Sequence, residues 1–299
     1  MTGRIGDAAQ SDRLMTALQS TTARLRSGQI AAATGKRATR YDEIARESGL
    51  LLRTKDQRAL TTGFRQQNEQ VVDRLTAMDG ALANLGDIAQ RLRTLLTQRL
   101  DAATGDLVPL DREALTLQAE AAAQLNLRLD ERYLFAGSWN DTAPVELPAA
   151  TLTSSDPSLY YHGDRVVQTV RADRDVEVSY GVTADEPAFG GLLAALGKAA
   201  QAHLANDRSG LELAATEVDA ALNAIAELRG EVGATSTRLQ GIAESQSSTV
   251  LYLDDIVTRI EDADVPKTLA QLAQDQAALE AAYLTTSRLG QLSLADYLR

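Results

Sequence analysis

Apolar residues recur at steps of three and four along most of the chain, which is the spacing of amphipathic helices. This spacing predicts five helices, over residues 11–34, 50–102, 110–132 and 191–205, and from 211 to the end. Residues 35–48 are polar and predict a loop or a broken helix, with Tyr41 and Ile44 as anchors. Pro266 interrupts the last helix, and Asp264 can cap the helix that restarts there.

The pattern changes between residues 138 and 190, where proline is frequent and valine alternates with polar residues. Residues 160–170 predict a β-hairpin that turns at Gly163, and the alternation of Val176, Val178 and Tyr180 predicts a further strand. The Gly190-Gly191 pair predicts a hinge back into the helices. The chain therefore divides into an N-terminal helical half (1–137), an inserted β-rich domain (138–190) and a C-terminal helical half (191–299).

The two ends of the chain carry opposite charge. Residues 1–100 hold 16 Lys and Arg against 10 Asp and Glu, whereas residues 201–299 hold 7 against 15. Separated helical segments of complementary charge are expected to pack as a coiled coil. The predicted fold is mainly α: a long antiparallel helical coiled-coil rod formed by the N- and C-terminal segments, with a small inserted β-rich domain.

Few residues offer chemistry. The chain has no cysteine and two histidines, which excludes thiolate sites and makes histidine metal sites improbable. Gly35-Lys36 lacks the rest of a phosphate-loop pattern, and the carboxylates of 261–264 are interpreted as a solvated bend rather than a cation site. We expect no catalytic residues, no metal and no cofactor.

Charge and hydropathy limit the partners. The net charge of −11 argues against general binding of nucleic acid or of an anionic membrane. No run of 18 apolar residues predicts a membrane span, and the first residues lack the apolar core of a secretory signal peptide. If the protein leaves the cell, we expect it to use a route other than the general secretory pathway.

Three stretches resemble sequences of the flagellin superfamily, in particular of its members that lie between the flagellar hook and the filament. They comprise residues 18–25 with the Ala-Thr-Gly-Lys-Arg run at 33–37, residues 131–138 (ERYLFAGS) with 141–144, and residues 259–264 with the tail at 292–298. The likeness covers the helical segments, and no known motif matches the inserted module.

The resemblance implies a structural protein of the bacterial flagellum that joins hook to filament and has no catalytic activity. It implies an extracellular location reached through the flagellar type III export channel, without a cleaved signal peptide. The implied partners are copies of the chain in a ring, a neighbouring hook-associated protein, flagellin and a flagellar export chaperone.

Assembly through the terminal helices predicts which apolar residues contact neighbouring subunits. The candidate interface residues are Leu14, Leu18, Leu25, Leu269, Leu272, Leu279, Tyr283 and Leu289. The same residues could instead form the core of a stable monomeric bundle. Two other functions stay open at this point: a filament flagellin subunit, and a cytosolic coiled-coil adaptor.

Overall fold

The structure, a computed structural model, describes residues 2–101 and 109–297, and the side chains of 12–101 and 109–287. The fold is mainly α, as the sequence predicted. The helices are α1 (Thr2–Thr34), α2 (Ala45–Leu100), α3 (Leu110–Leu125), α4 (Pro187–Leu204), α5 (Arg208–Glu261) and α6 (Val265–Tyr297). Short 3-10 helices occupy Tyr41–Ile44 and Pro157–Leu159.

The strands form two antiparallel hairpins. β1 (Arg128–Leu129) pairs with β2 (Arg132–Tyr133), and β3 (Gln168–Asp173) pairs with β4 (Val176–Tyr180). β3 and β4 lie within the segment that the sequence predicted as β-rich, whereas β1 and β2 precede it. The turn predicted over residues 172–175 is confirmed at Arg174 and Asp175, whereas Ala172 and Asp173 belong to β3. The alternating strand after it is confirmed, because Val178 and Tyr180 are buried while Glu177 and Ser179 face solvent.

The chain forms two compact units. The terminal unit comprises residues 1–59 and 250–299, and the central unit comprises residues 60–249. The division predicted from the sequence, into residues 1–137, 138–190 and 191–299, stays a prediction.

The core of the central unit is built from heptad-spaced aliphatic residues. On α2, Leu75, Leu82 and Leu85 are fully buried, and α5 buries Val218 and Ile225. Spacing of three and four places these side chains on one stripe of each helix, which packs away from water. α2 and α3 run in opposite directions, since Asn84 and Arg91 on α2 bond to Gln124 and Glu120 on α3, respectively. The predicted helical hairpin is therefore confirmed.

The YLFAGS stretch, residues 133–138, begins in β2 and contacts α4 in the central unit. Phe135 is fully buried and packs edge-on against Phe189 of α4, with ring centroids 6.0 Å apart. Gly137 follows with a φ of +71°, and a Cβ there would lie 2.4 Å from the carbonyl oxygen of Asp164. The Asp164 carboxylate accepts hydrogen bonds from the backbone amide and hydroxyl of Ser138, which lower the pKa of Asp164.

The restart of the last helix is also confirmed. α6 begins at Val265, Pro266 lies in its first turn, and the Asp264 carboxylate accepts a hydrogen bond of 3.0 Å from the Lys267 amide. This carboxylate satisfies one of the backbone donors left unpaired at a helix start. α2, in contrast, begins at Ala45 rather than residue 50. Ile44 is a buried anchor as expected, whereas Tyr41 is exposed.

The helix predicted over residues 110–132 is too long. It ends at Leu125, because the Asn126 side chain binds the backbone of Val145 through both its oxygen (2.9 Å) and its nitrogen (2.7 Å). Asp130 and Glu131 then adopt positive φ values of 50° and 62°, which close the tight β1–β2 turn. The predicted helix end near Thr104–Asp106 lies outside the described residues.

The hairpin predicted over residues 160–170 is wrong. Tyr161 instead forms a bridge with Val145, and β3 starts only at Gln168. The Tyr161 hydroxyl donates to the carbonyl of Asp164, so the turn at Gly163 is closed by side-chain contacts rather than by paired strands. The alternation of apolar and polar residues could not predict that Tyr161 contacts residues outside its predicted strand.

The predicted hinge at Gly190-Gly191 is wrong as well. Both glycines lie inside α4, which starts at Pro187. A Cβ at Gly190 would lie 2.7 Å from the carbonyl oxygen of Ser155, so glycine permits the loop to approach the helix backbone. Proline at the start of α4 supplies the helix-initiating signal.

Substitution of Gly137→Ala should destabilise the central unit by about 1–3 kcal/mol, because the positive φ and the clash with Asp164 act together. Urea denaturation followed by circular dichroism measures the free energy of unfolding.

The matched control is Gly86→Ala on α2, where a Cβ meets no atom within 4 Å. This variant should be unchanged or more stable by up to about 1 kcal/mol, since alanine favours helix. Equal stability of the two variants would contradict the role given to Gly137.

Candidate assembly surface

α1 and α6 pack against each other in the terminal unit and run in opposite directions. Their contact line follows heptad spacing. The half-buried positions along it are Leu14, Leu18, Thr21, Leu25 and Gly28 of α1, and Val265, Thr268, Leu272, Asp275, Leu279 and Ala282 of α6. We call this line the terminal seam. Large aliphatic residues alternate along it with threonine, glycine, alanine and aspartate.

Small residues in the terminal seam bring the two helices close together. A Cβ at Gly28 would lie 3.0 Å from Cδ2 of Leu272, so the leucine side chain occupies the space that glycine leaves. A large residue facing a small one is the knobs-into-holes arrangement of coiled coils. The same small residues contribute little apolar area, which keeps the seam weak.

One ion pair lies across the terminal seam. The Arg24 guanidinium contacts Asp275 Oδ1 through Nη2 at 3.0 Å and Nε at 3.3 Å. Asp275 occupies a heptad position of the seam and its side chain is 19% exposed. A charged residue at such a position binds only one partner, so it specifies the register of the helices more than it stabilises them.

The structure brings five of the eight predicted interface residues to this seam: Leu14, Leu18, Leu25, Leu272 and Leu279 are all half-buried. Leu269 and Tyr283 lie beside the seam on α6 and remain 53% and 58% exposed. Their separation of two heptads places them on the same flank of the helix. Leu289 lies beyond the described side chains.

Sequence reasoning missed the polar and small members of the seam. Gly28 is the next heptad position after Leu25, and Asp275 lies between Leu272 and Leu279, so continuing the heptad through non-aliphatic residues would have found them. Gly28 and Asp275 were missed because only large apolar residues were considered as interface candidates.

The terminal seam ends near residue 35, where α1 ends, and near residue 263, just before α6 begins. Gly35 has a φ of +70°, and Lys36 forms an antiparallel bridge with Asp262. The Ala263 amide donates to the Gly35 carbonyl at 2.8 Å, and the Arg37 amide donates to the Glu261 carbonyl at 2.7 Å. These contacts form what we call the joint. The Gly-Lys-Arg run noted in the sequence therefore provides the backbone pairing between the N- and C-terminal segments.

Glu261 is the central charge of the joint. Its carboxylate binds the ammonium groups of both Lys55 and Lys36, the latter at 3.3 Å, and is 16% exposed. The hydrogen bond from Lys55, together with that from Lys36, lowers the pKa of Glu261 below its ordinary value. Within residues 261–264, the Glu261 carboxylate thus binds two lysines and that of Asp264 caps a helix. No group of three potential metal ligands occurs among the described residues.

The opposite charges of the chain ends meet in ion pairs. Cations from the first hundred residues face acids from the last hundred at Arg24–Asp275, Lys36–Glu261, Lys55–Glu261, Arg58–Asp254 and Arg93–Asp219. Arg229–Asp79 has the reverse polarity. Complementary charge therefore accompanies the pairing of N- and C-terminal helices within each unit.

Comparison with known proteins agrees with this architecture. Residues 215–298 match the family model of the bacterial flagellin C-terminal helical region. The fold of the chain is similar to that of solved structures of flagellar hook-associated proteins. These findings confirm the resemblance to the flagellin superfamily. No curated protein sequence matches the chain.

Three solved structures show the extent of the similarity. A flagellar hook-associated protein from Vibrio parahaemolyticus has a TM-score of 0.57 and 14% identity, over 71% of this chain and 96% of its own. FlgL from Bacillus cereus has a TM-score of 0.54 and 16% identity, over 70% and 99%. Hook-associated protein-3 from Legionella pneumophila has a TM-score of 0.55 and 14% identity, over 71% and 98%.

The described helices include none that is long and apolar enough to cross a membrane.

Acid should loosen the joint. Because the folded-state pKa of Glu261 is lowered, its contribution to stability is present above the pKa of a free glutamate, about 4.3, and is lost as pH falls through the lower folded value. Hydrogen-exchange protection of the Arg37 and Ala263 amides should therefore decrease between about pH 5 and about pH 3.

The control for this titration is Glu261→Gln, which binds lysine weakly at every pH. It should show lower protection at neutral pH and a flatter profile in acid. If the variant and the wild type share one pH profile, another carboxylate controls the joint.

Proposed function

We propose that the protein is a structural subunit of the bacterial flagellum that joins the hook to the filament. Its subunits assemble as a ring through their terminal helices, and it has no catalytic activity. Two findings support this proposal: residues 215–298 match the flagellin C-terminal model, and the fold is similar to that of flagellar hook-associated proteins. The observation that carries it is the weakness of the terminal seam: no side chain described in residues 12–34 or 265–287 is fully buried.

Neighbouring subunits would supply the apolar burial that the terminal seam lacks. Ordering a residue costs about 1–2 kcal/mol of backbone conformational entropy, and isolated helices recover little of it without tertiary packing. Two helices of 33 residues that half-bury one line of contacts gain modest apolar burial in return. Burial against other copies would complete the folding free energy of α1 and α6, which couples order to assembly.

The contact with neighbours uses the predicted interface residues in two ways. Leu14, Leu18, Leu25, Leu272 and Leu279 hold α1 to α6 and offer their remaining surface. Leu269 and Tyr283 are the exposed members that a neighbouring subunit would cover. Leu289 extends the same candidate set toward the C-terminus.

The proposed partners are copies of this chain in a ring, a neighbouring hook-associated protein and flagellin. A flagellar export chaperone would bind the subunit before export, and the location would be the extracellular flagellum, reached without a cleaved signal peptide. Nucleic acid and membranes are not proposed partners, in keeping with the net charge of −11.

A second function is favoured by one observation. The matching family model describes flagellin, so a filament subunit would explain residues 215–298 equally well. Polymerisation of the purified protein into long filaments would support that alternative. A junction subunit, in contrast, should not form long filaments by itself.

Gene deletion tests the junction role. A bacterium without this protein should carry hooks without filaments and release flagellin into the medium, as seen by electron microscopy and immunoblotting. Filaments of normal number would overturn the proposal. Detection of the protein only in the cytosol, and never in sheared appendages, would favour an adaptor.

Complementation of the deletion tests the interface. The variant Leu269→Ser/Tyr283→Ser should leave monomer stability within about 0.5 kcal/mol of wild type, since both positions are exposed, but should fail to restore filaments. The control Leu204→Ser/Leu213→Ser changes equally exposed residues of the central unit and should restore them. Equal restoration by both variants would exclude Leu269 and Tyr283 from the interface.

A further inference from the structure

Two amide side chains lie buried between α2 and α5 in the central unit. Asn68 and Gln246 are both buried, with 0% and 3% exposure, at positions that continue the apolar stripes of these helices. The Asn68 side-chain nitrogen donates to Gln246 Oε1 at 3.0 Å. Both are neutral, so their interaction involves no ion pair.

The two amides share an acceptor outside the helices. Asn68 Nδ2 and Gln246 Nε2 each donate to the carbonyl oxygen of Ala172, both at 2.8 Å. Ala172 lies on β3 and is itself fully buried. α2, α5 and the β3–β4 hairpin therefore meet at one carbonyl group, where both lone pairs of the oxygen are used.

An irregularity in the hairpin makes this carbonyl available. The strand pairing shifts register between Arg171, which faces Glu177, and Asp173, which faces Val176, so Ala172 is the extra residue of a β-bulge. A bulged residue is left out of the ladder and re-aims its backbone groups. Here the Ala172 carbonyl accepts hydrogen bonds from the two amides.

Apolar packing of the hairpin comes from one face. Val170, Ala172, Val178 and Tyr180 face inward and Val176 is half-buried, whereas Thr169, Arg171, Glu177 and Ser179 face solvent. A two-stranded hairpin is only marginally stable by itself in water. Its attachment to the helices therefore depends on this apolar face, whose contacts are non-directional, and on the two amide hydrogen bonds, which are directional.

Buried amides are an expensive way to stabilise a helix pair. Leucine at either position would fill similar space without desolvating a polar group, and Asn68 Oδ1 accepts no hydrogen bond within the described residues. We therefore attribute the two amides to positioning of the hairpin. Their hydrogen bonds form only when the Ala172 carbonyl lies at one place on the helix pair.

We propose that Asn68 and Gln246 are positioning residues that hold the β3–β4 hairpin in place on the α2–α5 pair through the bulged carbonyl of Ala172. When the amides are absent, this carbonyl lacks a donor while it is buried. Opening of the hairpin then restores its hydrogen bonds with water, while the helices remain packed. The proposal concerns the monomer and does not depend on the flagellar function.

The variant Asn68→Leu/Gln246→Leu tests this in the full chain. Backbone amides of residues 169–180 should exchange roughly tenfold faster than in the wild type, measured by hydrogen exchange with mass spectrometry or NMR. Amides of the buried parts of α2 and α5 should keep their protection, and Tm should stay within roughly 4 °C.

The matched control is Asn84→Leu/Gln124→Leu. This pair is also an amide–amide hydrogen bond, at 3.0 Å, but it links α2 to α3 at an exposed site. It should leave exchange of the hairpin unchanged. Faster exchange in this control to the same extent would overturn the proposal, since the effect would then be general.

Deletion of Ala172 provides a second route, because it removes the bulge and keeps both amides. The regular ladder should persist while the hairpin exchanges roughly tenfold faster, as in the leucine variant. Combining the deletion with Asn68→Leu/Gln246→Leu should add nothing further, since each change breaks the same contact.

Three results would overturn the proposal. Hairpin exchange could stay unchanged in the leucine variant, which would show that the apolar face of Val170, Val178 and Tyr180 suffices to attach it. Helices and hairpin could lose protection together, which would make the amides ordinary core residues. The effects of the deletion and of the leucine substitutions could also multiply, which would show that they act on different contacts.

Discussion

Antiparallel pairing of heptad helices is the constraint on which the other features depend. In the central unit it brings Asp79 to Arg229, and in the terminal unit it brings Lys55 to Glu261. Once helices run antiparallel in a fixed register, each level of one helix meets a defined level of the other. The joint can form only because the interruptions after Thr34 and after Glu261 fall at the same level.

The terminal helices show how weak packing and precise pairing can coexist. The seam of α1 and α6 buries little, yet Gly28 admits Leu272 and Asp275 binds Arg24. Shape and charge therefore specify which surfaces meet without making the pair very stable. For a proposed assembly subunit, this division is useful because specificity is set within the chain and stability is completed by neighbours.

Periodicity in the sequence predicted the features that one helix or strand determines locally. The stripes of α2 and α5, the restart at Asp264 and Pro266, and the β4 alternation are of this kind. Its errors lie where distant residues decide the structure: Asn126 leaves its helix to bind Val145, and Gly190 serves the approach of Ser155. In the candidate surface the leucines were found and a continued heptad would have reached Asp275, whereas the role of Glu261 could be recognised only with its lysine partners.

The two kinds of polar contact between α2 and α5 differ in their response to the surrounding medium. The exposed pairs Asp79–Arg229 and Arg93–Asp219 attract each other through solvent, so dissolved ions screen them. The hydrogen bonds to the Ala172 carbonyl join neutral, buried groups, so dissolved ions do not screen them. The proposed attachment of the β3–β4 hairpin by these bonds should therefore lose less strength in brine than the exposed ion pairs do.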